Sequence, residues 1–181
     1  GDEVVVSDHI YNAVRNTLNF VLEPKGARLA VAKLGLPIPG DDASWVPSSR
    51  DIARPVEANW CGDLALSSYI HRFSTANSFI MSAFGMTPEY MTTNRVGLST
   101  FEFQLVFHGQ AKPGDMLDVE SCIAQLGGSS LRIYHRMRNA ETGADIAGLS
   151  QFGVQLDLDA RRPSRIADDL RERAQAMLGA D

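Results

Sequence analysis

The sequence predicts an α+β fold, with one long central helix followed by a run of antiparallel strands. Three observations predict it. Tyr69, Phe73, Ala76, Ile80 and Phe84 recur at helical spacing, and Gly85 ends the run. Four stretches of alternating apolar and polar residues follow, separated by Pro113-Gly114-Asp115, Gly127-Gly128-Ser129 and Glu141-Thr142-Gly143. Strands gathered behind a helix, rather than interleaved with helices, argue for α+β.

Taken in order, residues 7–35 read as helical. Ser7 can cap a first helix, with Asp8 favourable in its first turn. Ile10, Val14, Leu18, Val21 and Leu22 make an apolar stripe, and Pro24 stops it. A second, shorter helix is expected over 26–34, closed by Gly35. A segment below ~40 residues rarely buries a core of its own, so this one is expected to pack on the main domain or on a partner. Residues 36–55 hold Pro37, Pro39, Pro47 and Pro55 and show no periodicity. They are expected to form an extended connector. Trp45 needs a surface to pack on, so the connector is expected to lie along the main domain. The division is therefore a helical extension with a Pro-rich connector, 1–55, and a main domain, 56–181. Within the latter, 56–60 reads as a short extended stretch, and Ser67 or Ser68 as the cap of the central helix. Strands are expected over 95–107, 116–126, 131–138 and 145–158. Phe101, Phe103, Leu105 and Phe107 share one face of the first. Phe152, Val154, Leu156 and Leu158 share one face of the last. Residues 167–178 read as a charged amphipathic tail helix.

Composition narrows the function classes. The chain has 181 residues, 44% apolar and 22% charged, which suits a soluble globular domain. No stretch approaches the ~20 consecutive apolar residues of a spanning helix, so no membrane role is expected. Seventeen Lys and Arg against 22 Asp and Glu give a net charge of −5. The clustered basic patch of a nucleic-acid binder is missing. The groups Arg132, Arg136, Arg138 and Arg161, Arg162, Arg165 are interrupted and read as a solvated strand face and chain end. Cys61 and Cys122 lack metal or redox spacing and read as free thiols of a cytoplasmic protein. His71 reads as a surface or interface residue, and His108 as a loop residue. His135, between Ile133 and Met137, reads as a partly buried histidine with a satisfied ring. Scattered histidines give no metal set, and no Gly-x-Ser-x-Gly elbow or Walker loop is present.

Three blocks carry a resemblance. They are VEANWCGDLALSSYIHRF at 56–73, AKPGDMLDVESCIAQLGGSSLRI at 111–133 and DLDARRPSRIADDLRE at 157–172. In this order and spacing, residues 56–178 resemble the hotdog-fold thioesterases of the 4-hydroxybenzoyl-CoA thioesterase type. The resemblance implies a curved antiparallel sheet wrapped around one long helix. It implies hydrolysis of an acyl-CoA or acyl carrier protein thioester, with no cofactor. It places the thioester carbonyl at the N-terminus of the central helix, where unpaired N–H groups and the helix dipole favour negative charge. It also implies a site between subunits, hence a homodimer or a dimer of dimers.

The family often carries Asp-x-Asp before the glycine, with the second Asp catalytic. Here Glu57 and Asn59 stand at those positions. Asn59 is no general base; it can orient a water or donate to an oxyanion. Glu57 reads as a strand-face residue. Asp63, directly after Gly62, has two readings, the replacement carboxylate or a simple cap of the helix. The resemblance implies backbone donors at Leu64 and Ala65. Ser129 and Ser130 of the Gly-Gly-Ser-Ser hairpin can cradle a pantetheine or phosphate, with Lys112 and Arg95 as the nearest basic residues. A catalytically silent hotdog module, binding an acyl ligand or building an assembly, is the alternative function. A cone-shaped fold like nuclear transport factor 2 is the alternative architecture; it suits residues 7–35 but neither the hairpin nor the tail.

Overall fold

The computed structural model describes residues 2–7, 12–32 and 43–178. In chain order these form β1 (Glu3–Ser7), α1 (Asn12–Leu22), β2 (Arg28–Ala32), β3 (Val46–Ile52), α2 (Leu66–Ala83) and α3 (Pro88–Thr93). There follow β4 (Val96–Phe107), β5 (Met116–Leu126), β6 (Ser130–Asn139), β7 (Asp145–Asp157), β8 (Arg162–Pro163) and α4 (Asp168–Gln175).

The main sheet is antiparallel in the order β3-β5-β6-β7-β4, with the short β8 beside β7. Gly114, in the turn that leads into β5, and Gly143, in the turn between β6 and β7, adopt positive φ, where a side chain would strain the backbone. The predicted stripe of α2 is the one the sheet buries: Tyr69, Phe73, Ala76, Ile80 and Phe84 are all within the core. Its N-terminal half packs with Leu117, Val119, Met137 and Leu149. Its C-terminal half packs with Ile123, Leu131, Ile166 and Leu170, so α4 closes that end.

Several expectations are corrected. The helix expected over 26–34 is strand β2, parallel to β1 and joined to it through α1. An apolar run such as Leu29-Ala30-Val31-Ala32 suits either state, and pairing with Val4–Val6 decides it. Ser7 is the last residue of β1, and the stretch between it and α1 lies outside the described residues. Pro24 lies in a 3-10 turn, Glu23–Lys25, that Gly26 closes in the left-handed region. Ile10, Gly35, Pro37 and Pro39 lie outside the described residues. Phe20, Val21 and Val31 are exposed in the single chain, while Leu18 and Leu22 are half-buried.

The unpatterned connector contains β3, an edge strand of the main sheet, with Pro47 at a register shift where an edge tolerates it. Trp45 does lie along the domain, with the Arg136 guanidinium 4.2 Å from its ring centroid. Residues 56–60 are not a strand: Pro55–Glu57 is a 3-10 turn, followed by a single Ala58–Leu64 bridge. Neither Ser67 nor Ser68 caps α2, which starts at Leu66 behind Ala65. In β4 a register shift between Thr100 and Glu102 takes Phe101 out of alternation. Phe101 is 66% and Phe103 45% exposed, while Val106 is buried. In β7 the buried polar residues are Ser150, Gln151 and Gln155, and Leu158, just past the strand, is exposed. Gln155 Nε2 donates to the Arg165 carbonyl at 2.9 Å, while its Oε1 has no partner among the described residues.

Candidate active site

The segment before α2 is a loop built around Asn59. Its Oδ1 accepts from the N–H of Cys61 at 2.8 Å and of Asp63 at 3.1 Å. The Asn59 N–H donates to the Asp63 carbonyl at 2.7 Å, and the Gly62 N–H to the Asn59 carbonyl at 3.0 Å. Gly62 has φ +83°, which the tight reversal needs. Trp60 is held outward, 88% exposed. Leu64 is fully buried and anchors the loop's end.

Asp63 is half-buried, and its Oδ2 accepts from Gln110 Nε2 at 3.3 Å. It does not cap α2. The cap residue is Ala65, which makes no side-chain cap bond. Of the two readings of Asp63, the capping one is therefore corrected. The carboxylate lies beside a helix end whose dipole no side-chain oxygen satisfies.

The backbone donors expected at Leu64 and Ala65 are corrected as well. The Leu64 N–H donates to the Ala111 carbonyl and the Ala65 N–H to the Glu57 carbonyl, each at 2.8 Å. The donors that face outward at a helix start belong to its first turn, here Leu66 and Ser67. The Asn59 side-chain oxygen, Oδ1, is likewise engaged by backbone N–H groups, those of Cys61 and Asp63.

Lys112 follows Ala111, whose carbonyl meets the loop at Leu64, so its exposed side chain is in the same neighbourhood as Asp63. Ser129 and Ser130 are not. Their hairpin is bonded to the far end of the domain: the Ile166 N–H donates to the Gly128 carbonyl, and Arg171 donates to that of Gly127. It lies with the cluster around Ile80 and Phe84. An α-helix of 18 residues spans ~27 Å, so one chain does not bring these serines to Asp63. Arg95 is exposed and paired with Asp159.

Sequence reasoning missed two residues. Gln110 gives no pattern. Arg72 does: it shares the buried face of α2 with Tyr69 and Phe73, and a charge there requires a partner. That partner is Glu57, which is not on a strand face. Hydrogen bonds from Arg72 hold its carboxyl down at about 2, against the opposing effect of burial.

The histidines stand apart. His71 and His108 are exposed. His135 is fully buried, with Nδ1 2.7 Å from Ser121 Oγ, and its Nε2 has no partner among the described residues. Burial pushes it down to about 3, so the ring is neutral. Among the described residues no three His, Cys, Asp or Glu side chains converge as a metal set. No helix among them is long and apolar enough to cross a membrane.

An antiparallel sheet packed against one long helix is the fold the resemblance implies. The thioesterase-like superfamily matches the chain over residues 56–174. The chain belongs to that superfamily. Among solved structures, this superfamily member is similar to the 1,4-dihydroxy-2-naphthoyl-CoA thioesterase Slr0204 from Synechocystis. That likeness has a TM-score of 0.64 at 14% identity, covering 70% of this chain and 93% of the other. It is also similar to SAV2348 from Staphylococcus aureus, a hypothetical protein solved in complex with CoA. There the TM-score is 0.69 at 11% identity, covering 80% and 87%. The DHNA-CoA thioesterase from Staphylococcus aureus follows, with a TM-score of 0.64 at 15% identity, covering 71% and 87%. No protein with a curated description matches by sequence. These likenesses bear out the hotdog fold over the cone-shaped alternative. The thioester-hydrolase class read from residues 56–178 stands with the superfamily match.

Proposed function

We propose that this superfamily member hydrolyses acyl-CoA thioesters at the N-terminal end of α2, with Asp63 as the reacting carboxylate. One observation carries the assignment: Asp63 is half-buried beside an uncapped 18-residue helix and is oriented by Gln110. Asp63 takes a proton from a water, whose oxygen attacks the thioester carbonyl carbon. The oxyanion that forms is stabilised by first-turn N–H groups, Leu66 and Ser67, and by the helix dipole. Collapse breaks the C–S bond, and the protonated Asp63 returns its proton to the departing thiolate. Asn59 acts as a positioning residue, because its Oδ1 fixes the N–H of Asp63.

Coenzyme A is the favoured carrier because a structural neighbour was solved in complex with CoA and two others are CoA thioesterases. Lys112, next to the Ala111 that bonds Leu64, then offers a cation for a CoA phosphate. A homodimer or dimer of dimers is supported by the exposed Trp60, Phe79, Phe101 and Phe103. In such an assembly Ser129 and Ser130 would serve a partner's site. The free thiols Cys61 and Cys122 fit a reducing, cytoplasmic compartment. The catalytically silent reading is favoured by one observation, Asn59 at the position where relatives of the basic family carry the catalytic Asp.

A hydrolysis screen over short, long and aromatic acyl-CoAs tests the proposal. Wild-type turnover that falls ~10²–10⁴-fold in Asp63→Asn supports it. Binding of acyl-CoA without turnover gives the silent reading instead. Light scattering that finds a 19.7 kDa monomer overturns the dimer.

A further inference from the structure

Arg72 is charged, lies on the buried face of α2, and plays no part in the steps above. Its side chain is 4% exposed. Nη1 donates to Glu57 Oε1 at 2.9 Å and to the Ser68 carbonyl at 3.3 Å. Nη2 donates to Glu57 Oε2 and to the Ile52 carbonyl, each at 3.0 Å, and lies 3.5 Å from Asp51 Oδ2. Glu57 Oε2 also accepts the Arg54 N–H at 2.7 Å, and the Glu57 carbonyl accepts the Ala65 N–H. One guanidinium thus joins the end of β3, the 3-10 turn and the first turn of α2.

Nothing in the reaction requires a buried ion pair there, and such a pair is a weak source of stability. Its placement is the informative feature. The loop 58–64 leaves the 3-10 turn at Glu57 and reaches α2 at Ala65. Glu57 touches both ends of that loop, through its own chain position and through its carbonyl bond to Ala65. Arg72 in turn fixes Glu57 to the helix. A planar fork with several fixed donors can make these bonds together, whereas a lysine ammonium is a point charge on a flexible stem.

We infer that Arg72 and Glu57 form a clasp that positions the Asp63 loop against the start of α2. The inference rests on the reading of Asp63 as the reacting carboxylate for its kinetic consequence, and on geometry alone for the loop. Arg72 is a positioning residue: a displacement of Asp63 by about 1 Å is enough to slow the reaction by up to about 100-fold.

The test uses Arg72→Lys and Glu57→Gln in the full chain, with two readouts. The first is amide hydrogen exchange. In both variants the amides of Asp63, Leu64 and Ala65 are expected to exchange about tenfold faster or more, while Ile133 and Leu149 in the sheet keep their protection. Unchanged exchange at 63–65 overturns the clasp. So does a wild type whose Leu64 and Ala65 amides exchange as fast as unprotected ones, a measurement that needs no variant to fold. The second readout is kinetic. Arg72→Lys is expected to lower kcat about 10- to 100-fold with KM nearly constant. On an Asp63→Asn background it is expected to cause no further loss, because both changes act through one group. Additive losses overturn the positioning role. An Asp63→Asn variant that keeps its rate overturns the carboxylate assignment instead, and the exchange readout then decides the clasp by itself.

Discussion

The two ends of α2 are built on opposite principles. At its N-terminal end no side chain among the described residues caps the helix, a carboxylate precedes it at Asp63, and Trp60 stands 88% exposed. At its C-terminal end Phe84 and Met86 are buried, and Ile166, Leu170 and Ala174 cover them. The same helix therefore offers an unsatisfied, polarising end and a sealed one. Burying the C-terminal half contributes apolar stability that the open end does not. Substitutions at the open end should change rate, and those at the sealed end should change stability.

The largest expected effect breaks the open end. Asp63→Asn should lower kcat by ~10²–10⁴ while the thermal melting curve stays in place. A shifted melting curve of comparable weight would show that Asp63 is a structural residue. At the sealed end Phe84→Ala should cost about 3–5 kcal/mol in denaturant unfolding, while the folded fraction keeps its kcat. Loss of kcat in folded protein would mean the two ends are not separable.

Between them lies His135, whose ring centroid is 6.0 Å from that of Phe73. Its pKa is about 3 when folded, against an ordinary value of 6.5. As pH falls below ~6.5 the unfolded chain takes up a proton that the folded chain refuses. Stability should therefore decline progressively between pH ~6.5 and ~3, by about 2 kcal/mol at pH 5 from this group. Urea unfolding of the wild type against His135→Gln, followed from pH 8 to pH 5, isolates that share. Equal slopes would place the ring in water rather than in the core.

The smallest effect refines the sealed end. Gly85 has φ +100°, and an added Cβ would lie 2.7 Å from Leu170 Cδ2 and 2.8 Å from Arg173 Nη1. Gly85→Ala should cost about 1–2 kcal/mol, because it strains the backbone and presses on α4 together. A neutral effect in thermal unfolding would show that α4 is loosely held.

Much of the fold was legible because its signals are local. The bounds of β5 follow from alternation between a Pro-Gly turn and a Gly-Gly turn, and the buried stripe of α2 from spacing alone. The failures share a cause. Residues Leu29–Val31 form a strand because β1 lies beside them. Residues 46–52, with Pro47, Ser48, Ser49 and Asp51, have little strand propensity and become β3 because β5 offers an edge. Phe101 loses its place through a register shift that alternation does not announce.

At the site, residue order alone showed that a loop bearing Gly62 enters a long helix and that Asn59 and Asp63 flank that glycine. These are facts of residue type and near neighbours along the chain. Only the tertiary structure decided which donors remain for an oxyanion. The Leu64 N–H is taken by Ala111 and the Ala65 N–H by Glu57, and the first of these partners is remote in sequence. Only the structure joined Arg72 to Glu57, separated Ser129 and Ser130 from Asp63, and set Gln110 on its carboxylate. The physical reason is the same in each case. A residue's type limits what it can donate or accept, but the packing of distant segments decides which of those bonds is already made.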